Sequence, residues 1–293
     1  MAEAAGNVRA IVMQRYGPPE VLVWTALPLA PLRPDEIRIK TIASAVNHTD
    51  LEIRAGHWPV RKPDPFPYVP GVEVVGEVEE IGSAVRLLNR GNRVITMMQG
   101  LGGVRAQRPG GYAEYVTVAA DAVARLPTEV DPFDVAAVGL GGVTAYEGLR
   151  RIGPLHGKRI VVTGAAGGVG SAATAIAHAQ GALVIGVISR PEQADYVRTL
   201  GAEEVVVASK AGFAPPIASE SVDGILDTVG GDLFGPCVAA LRPGGMLSLV
   251  GAVGGSDVCF DAYELLRPVM LTGYSTETLD GAGLREAIES LMR

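Results

Sequence analysis

Between residue 8 and about residue 130, apolar and polar positions alternate over short runs: VRAIVM, EVLVWTAL, EIRIKTIASAV, VEVVGEVEEIG, NRVITMM and AEYVTVAADAVARL, with Gly, Pro and Asn between them. Alternation with a period of two, bounded by turn formers, predicts short half-buried strands. The period changes near residue 134, where DVAAVGLGGVTAYEGLRRIG carries apolar residues at helical spacing and ends on Gly153-Pro154, a helix stop. Beyond it, continuous Val/Ile/Leu runs alternate with helix-length segments: RIVVTG, GVGSAATAIAHAQG, LVIGVIS, PEQADYVRTLG and EEVVVA, then GILDTVG, MLSLVGAVG and VMLTGYS as further strands. Such alternation is the mark of a parallel sheet covered on both faces. The expected fold is therefore α/β, with a β-rich domain over residues 1–130 and a doubly wound domain over 131–275. The closing segment GAGLREAIESLMR, within residues 276–293, reads as the opening of an amphipathic helix with nothing after it to pack against.

The segment KRIVVTGAAGGVG, residues 158–170, runs a buried strand into a glycine-rich turn that opens a helix. Free amides and the dipole at such a helix start can receive a pyrophosphate. In G-x-G-x-x-G spacing Ala165 takes the first place, Gly167 the second and Gly170 the third, with Gly164, Gly168 and Val169 completing the turn. Gly167 lets the backbone approach the phosphates, and Gly170, followed by Ser171, Ala172 and Ala173, lets helix and strand pack closely. A βα turn that binds nothing has the same glycines; the flanking strand and helix and the second strand at the right distance favour a dinucleotide.

At the end of the second strand, Ile188, Ser189 and Arg190 stand where an NAD-preferring site would present a carboxylate. Ser189 and the Arg190 guanidinium suit a 2′-phosphate, so NADPH is expected over NADH. Lys210 is a weaker second contact.

Composition narrows the partners. The chain has 293 residues, 48% of them hydrophobic, with 38 Gly and 20 Pro scattered as turn punctuation. Its net charge of −7 comes from interspersed charges with no basic stripe, so nucleic acid is not an expected ligand. No signal-like N-terminus and no run of about 18 apolar residues occurs, which leaves a cytoplasmic protein without a membrane span as the expectation. Two cysteines, Cys237 and Cys259, allow neither a disulfide framework nor a four-cysteine metal knot. His48 and His57 lie on what reads as a loop, and no Cys/His/Asp/Glu set has zinc-ligand spacing. No metal is expected.

Further motifs carry a family resemblance: Asn47-His-Thr-Asp50 with Arg54 and Gly56, PFPYVPGVEVVGEV, GNRV, GGYAEY, GLGGVTAY, GAAGGVG, LDTVGG and LRPGG. In order and spacing the chain resembles the medium-chain dehydrogenase/reductase superfamily and, within it, the zinc-less quinone oxidoreductase group. The resemblance implies a GroES-like β-rich catalytic domain, a Rossmann domain, a return of the chain to the first domain, and an active site in the cleft between them. It implies a small-molecule quinone or α,β-unsaturated ketone as hydride acceptor, with Asn47 orienting and polarising it and Thr49 relaying a proton. Asp50 is expected to brace the loop with Arg54, and Glu73 to be structural. Thr144 should lie near the nicotinamide amide or phosphate, Gly251 and Ala252 should border the cofactor, and Gly230-Gly231 should form a turn. Pairing of the VMLTGYS edge across a two-fold axis implies a homodimer.

Against zinc-dependent relatives, Asn47 replaces a cysteine and Val72 a histidine, and residues 99–110 lack the lobe cysteines. Against quinone reductases, Glu52 and Trp58 replace tyrosines, Gln193 and Ala208 replace the Lys and Tyr of the 2′-phosphate site, and the chain is expected to stop short of the elements that complete the first domain. Two alternatives accompany this reading. One is a trans-acting enoyl-thioester reductase, for which Arg105 and Arg108 would supply a basic entrance. The other is a non-catalytic NADPH-binding or sensing protein.

Overall fold

The structure, a computed structural model, describes residues 7–58, 66–101, 108–209, 212–214 and 217–293. The chain divides into two compact units, Met1–Leu140 with Thr276–Arg293, and Gly141–Ser275.

In the first unit, β1 (Asn7–Met13) and β2 (Leu22–Pro28) form an antiparallel ribbon. A 5-stranded sheet follows, built from β3 (Glu36–Ala43), β4 (Glu73–Ile81), β5 (Arg93–Met97), β6 (Tyr115–Ala119) and β7 (Ala124–Arg125) in the order β6-β3-β4-β5-β7. Every neighbouring pair is antiparallel. The period-two pattern sends Ile37 and Ile39 of β3, Val74 and Val78 of β4, and Val116 and Val118 of β6 into one core, as expected for a half-buried sheet. Helix α1 (His48–Ala55) sits between β3 and β4, and a short α2 (Met98–Leu101) follows β5. Helix α3 (Pro132–Ile152) contains the division between the units.

The second unit holds a 7-stranded sheet of β8 (Arg159–Thr163), β9 (Leu183–Ile188), β10 (Ala202–Ser209), β11 (Gly212–Ala214), β12 (Val222–Asp227), β13 (Leu241–Leu249) and β14 (Met270–Gly273). Their order is β11-β10-β9-β8-β12-β13-β14. Only the outermost pair, β10 with β11, is antiparallel, and the rest follow the doubly wound dinucleotide-fold order. Ile160, Val162, Val184 and Leu226 join the core on one face; Val161, Ile185, Ile225 and Leu247 join that on the other. Burial on both faces is why these strands read as unbroken apolar runs. The helices are α4 (Gly168–Ala179), α5 (Ala194–Thr199) and α6 (Phe234–Ala240).

Helix α7 (Gly281–Leu291) returns the chain to the first unit. The sequence offered no later segment for this helix to pack against, and its partners lie earlier in the chain. It buries Leu284, Ala287 and Ile288, Asp280 caps it by accepting from Gly283 N at 2.7 Å, and Arg285 donates to the carbonyls of Asp121 (2.8 Å) and Val123 (3.3 Å). No helix among the described residues is long and apolar enough to cross a membrane.

Candidate active site

In the second unit β8 delivers Gly164 in the left-handed region (φ 61°). A Cβ there would meet the Thr228 hydroxyl, so glycine is required on both counts. The tight-turn position therefore falls on Gly164 rather than on Ala165, which the motif spacing had placed first. The Ala165 side chain is instead buried in the core, while its N–H pairs with the Val187 carbonyl at 2.9 Å. Gly167 caps α4 in extended conformation and donates to the Gly164 carbonyl at 2.8 Å. Gly167 and Gly168 are exposed, and an added Cβ at Gly168 would meet nothing within 4 Å. At Gly170 a Cβ would collide with the backbone of Gly164 and Ala165, so this glycine sets the approach of helix to strand. Val169 is half-buried between them. The first-turn amides of an α-helix have no intrahelical acceptors, and the first turn of α4 carries no acidic residue. Open backbone, free donors and no competing charge fit a dinucleotide diphosphate.

The carboxyl ends of the neighbouring strands complete this rim. Thr163 Oγ1 donates to Asp227 Oδ1 at 2.6 Å and accepts from Thr228 N at 2.9 Å, and Thr228 Oγ1 returns a bond to the Thr163 carbonyl at 2.8 Å. Asp227 Oδ1 also accepts from Val229 N (2.9 Å) and Gly230 N (3.1 Å). Gly230 and Gly231 turn with positive φ (64° and 54°). Gly251 and Ala252 follow β13, and Gly251 packs on the Thr228 carbonyl so closely that a Cβ would lie 2.8 Å from it. Thr144, on α3, is buried.

At the end of β9 Ile188 is buried, while Ser189 and Arg190 are exposed. Ser189 Oγ and Arg190 N both point to Gln193 Oε1, at 3.5 and 3.2 Å. Gln193 thus ties the strand end to the turn that follows. The Arg190 guanidinium lies 3.8 Å from Glu192 with both side chains largely exposed; such a pair holds the arginine only weakly, so it can turn to a ligand. Lys210 lies outside the described residues.

In the first unit Asn47 caps α1, and Asp50 answers from the third helical position. The expected loop at His48 is thus a helix, started by this capping box and stopped by Gly56 (φ 86°). The Asn-x-x-Asp spacing and the glycine nine residues on were signals for it. Asp50 Oδ2 accepts from Asn47 N (2.9 Å) and Oδ1 from Val72 N (3.1 Å). Arg54 does not pair with Asp50; its Nε donates to the Gly17 carbonyl at 3.2 Å. Glu73 is buried on β4, where Oε1 accepts from Asn47 Nδ2 at 2.9 Å and Oε2 from Leu140 N at 2.7 Å. Burial pushes both the Asp50 and Glu73 carboxyls above the usual carboxylate range, against the hydrogen bonds that pull them down. Burial, then the Asp50 charge, also pushes the Tyr112 phenol up, so Tyr112 stays an O–H donor; its Oη reaches the Ala45 carbonyl at 3.3 Å. Thr49 is half-buried in the first turn of α1. His48 and His57 are exposed and flank Glu52, at 3.4 and 3.2 Å from its two carboxylate oxygens.

These residues do not fit a zinc site. The Asn47 amide nitrogen and both Asp50 oxygens are engaged as above, and among the described residues no three His, Cys, Asp or Glu side chains converge in a metal-holding group. Of the two arginines expected at a basic entrance, Arg108 pairs with buried Glu36 at 2.6 Å, and Arg105 lies outside the described residues.

Comparison with known proteins places this geometry. Residues 33–128 match the alcohol dehydrogenase GroES-like domain, and residues 168–289 match the zinc-binding dehydrogenase family. An acrylyl-CoA reductase of Ruegeria pomeroyi is 34% identical over 99% of this chain and 84% of its own length. A human quinone oxidoreductase is 31% identical over 88% of this chain and 77% of its own. Mycobacterial Rv1454c, solved in complex with NADPH, superposes with a TM-score of 0.83 at 29% identity, covering 97% of this chain and 87% of that one. The GroES-like and Rossmann-type units, the ordered motifs and these relatives agree: the chain belongs to the medium-chain dehydrogenase/reductase family, in its quinone oxidoreductase-like group.

Proposed function

We propose that this protein is a zinc-independent reductase that uses NADPH to reduce a quinone or an α,β-unsaturated carbonyl. The observation that carries the reading is the open glycine turn at the start of α4 together with Ser189 and Arg190, rather than a carboxylate, at the exposed end of β9. Gly164, Gly167, Gly168 and Gly170 would receive the diphosphate, with Ala165 and Val169 packing beneath, Ser189 and Arg190 would hold the 2′-phosphate, and Thr144, Gly251 and Ala252 would border the rest. The NADPH complex of the mycobacterial neighbour supports this assignment.

The bound nicotinamide supplies a hydride. The chain must then polarise the acceptor oxygen and allow a proton to reach the reduced product. Asn47 keeps one amide N–H beyond the one given to Glu73, a donor suited to that oxygen. The Thr49 hydroxyl, in the first turn of α1, is the group for proton passage. A quinone or enone needs no Lewis acid to accept hydride, in keeping with a donor set that does not fit zinc. Edge strand β14, whose Met270 and Leu271 are exposed, is the surface for a homodimer.

The relative named as an acrylyl-CoA reductase favours a second reading, an enoyl thioester as acceptor. One experiment separates the possibilities: oxidation of NADPH and of NADH, each offered with a small quinone, an enone and an acryloyl thioester, with Arg190→Ala in parallel. NADPH consumption, with a KM for NADPH raised about tenfold in Arg190→Ala and little change for NADH, is the expected result; loss of a charge-assisted hydrogen bond is worth about that much. Binding of NADPH without turnover on any acceptor would reduce the protein to a dinucleotide-binding one.

A further inference from the structure

Glu73 is a buried carboxylate whose two oxygens each accept one N–H, from the Asn47 side chain at 2.9 Å and from the Leu140 backbone at 2.7 Å. Its seat is made by a missing side chain. A Cβ on Gly139 of α3 would collide with Glu73 Oε2, so the glycine leaves a notch that admits the carboxylate to the helix backbone. From the structure we infer that Glu73, seated in the Gly139 notch, is a positioning residue that fixes which end of the Asn47 carboxamide a ligand meets.

The argument is one of donors and acceptors. An ionised carboxylate can only accept, so it holds Asn47 with nitrogen toward Glu73. The Asn47 backbone is held separately, by Asp50 Oδ2 on its N–H at 2.9 Å, so a change at Glu73 acts on the carboxamide and not on the backbone that carries it. Glutamine at position 73 has one acceptor for two donors. If it keeps the Leu140 N–H, its own amide nitrogen faces Asn47, and the Asn47 carboxamide must turn over to present oxygen. The group offered to the acceptor then changes although no residue that would touch the acceptor has been altered.

This inference rests on the proposed reductase reading for its kinetic consequence, and on geometry alone for the hydrogen bond. Two variants reach Glu73 independently: Glu73→Gln removes an acceptor, and Gly139→Ala pushes the carboxylate out of its notch while placing a better helix former in α3. The test is a double-mutant cycle on the full-length protein, with each variant made in the Asn47 and Asn47→Ala backgrounds. With Asn47 present, kcat is expected to fall about tenfold or more while KM for NADPH stays within about twofold. With Asn47→Ala, neither variant should lower kcat further. A purely structural role for Glu73 predicts the same fold-loss in both backgrounds, and that result, or unchanged kcat in both variants, overturns the inference.

A second measurement needs no turnover. In isotope-labelled protein the Asn47 side-chain amide signals, identified by their loss in Asn47→Asp, should show one hydrogen-bonded proton in the wild type. Both protons should move to the position of a free amide in Glu73→Gln and Gly139→Ala. Unmoved signals overturn the inference even if the enzyme is active. Moved signals in a protein that reduces no acceptor leave Glu73 holding Asn47 and remove the reductase reading instead.

Discussion

Thr163 and Asp227 join the carboxyl ends of two adjacent parallel strands through a buried 2.6 Å hydrogen bond, and Thr163 is the residue directly before Gly164. The other Asp227 oxygen, Oδ2, is buried without a hydrogen-bond partner among the described residues. All of its compensation therefore comes through Oδ1, which holds Thr163 on one side and the amides of Val229 and Gly230 on the other. One carboxylate oxygen thus ties the glycine turn at β8 to the turn after β12, and an unpaired buried partner makes each remaining bond more costly to remove.

Thr163→Val keeps the shape of the side chain and removes both bonds of the hydroxyl. It leaves Thr228 N without its acceptor and Asp227 with two donors. The expected cost is about 1–3 kcal/mol, read as a lower urea midpoint at unchanged slope. An unchanged midpoint would show that the knot contributes nothing.

Gly170→Ala tests the approach of α4 to β8. The added methyl lies against the backbone of Gly164 and Ala165, where no flexible side chain can yield, and overpacking of this kind costs about 1–3 kcal/mol. The shift needed to relieve it moves the amides that would face a diphosphate. NADPH affinity, followed by cofactor fluorescence, is expected to fall by about tenfold or more, with the fold retained. Gly168→Ala, where the methyl meets nothing, separates crowding by the protein from crowding of the ligand: retained folding stability with weakened binding is its expected pattern.

The strands were legible because their signal is local. Ile37 and Ile39, or Val74 and Val78, declare a buried face by period-two spacing alone, and β8 and β9 declare burial on both faces by unbroken apolar runs. Helix α1 was missed because its sequence, HTDLEIRA, has only eight residues and no wide apolar stripe; its caps were the only sign of it. The partners of Glu73 were not legible, since they lie 26 and 67 residues away and a glycine in α3 makes room for the carboxylate. The same holds for Arg108, whose charge suggested an entrance but whose partner, Glu36, lies 72 residues earlier. Pairing across such distances is decided by tertiary packing, which no periodicity encodes.

Arg108→Ala follows from that pairing. Glu36 is buried, and losing its guanidinium partner leaves, among the described residues, the Arg33 N–H at 3.0 Å on the other oxygen. A loss of about 1.5–3 kcal/mol in unfolding free energy is expected, the range for a hydrogen bond to a charged group. KM for an acryloyl thioester should be unchanged. A raised KM at undiminished stability would restore Arg108 to the entrance and contradict the pairing.

Asp50 carries a pH signature of definite sign. Burial raises its folded-state carboxyl above the ordinary value of 3.8, and the N–H groups of Asn47 and Val72 only partly offset this. A raised folded value means that the native state binds the proton more tightly than the unfolded chain does. Its contribution is therefore fully present below 3.8 and is lost as pH rises through the raised folded value. Glu73, also raised and with the Asp50 charge among its causes, titrates with it as a pair. The quantity to measure is the unfolding free energy of the wild type minus that of Asp50→Asn, taken by urea titration from about pH 3 to pH 8 so that other carboxylates largely cancel. It should decline as pH rises through the carboxylate range and level off above the pair's folded values. A difference that instead grows with pH would mean that the hydrogen bonds to Asp50 outweigh its burial, and that the loop carrying Asn47 is held by a charge rather than in spite of one.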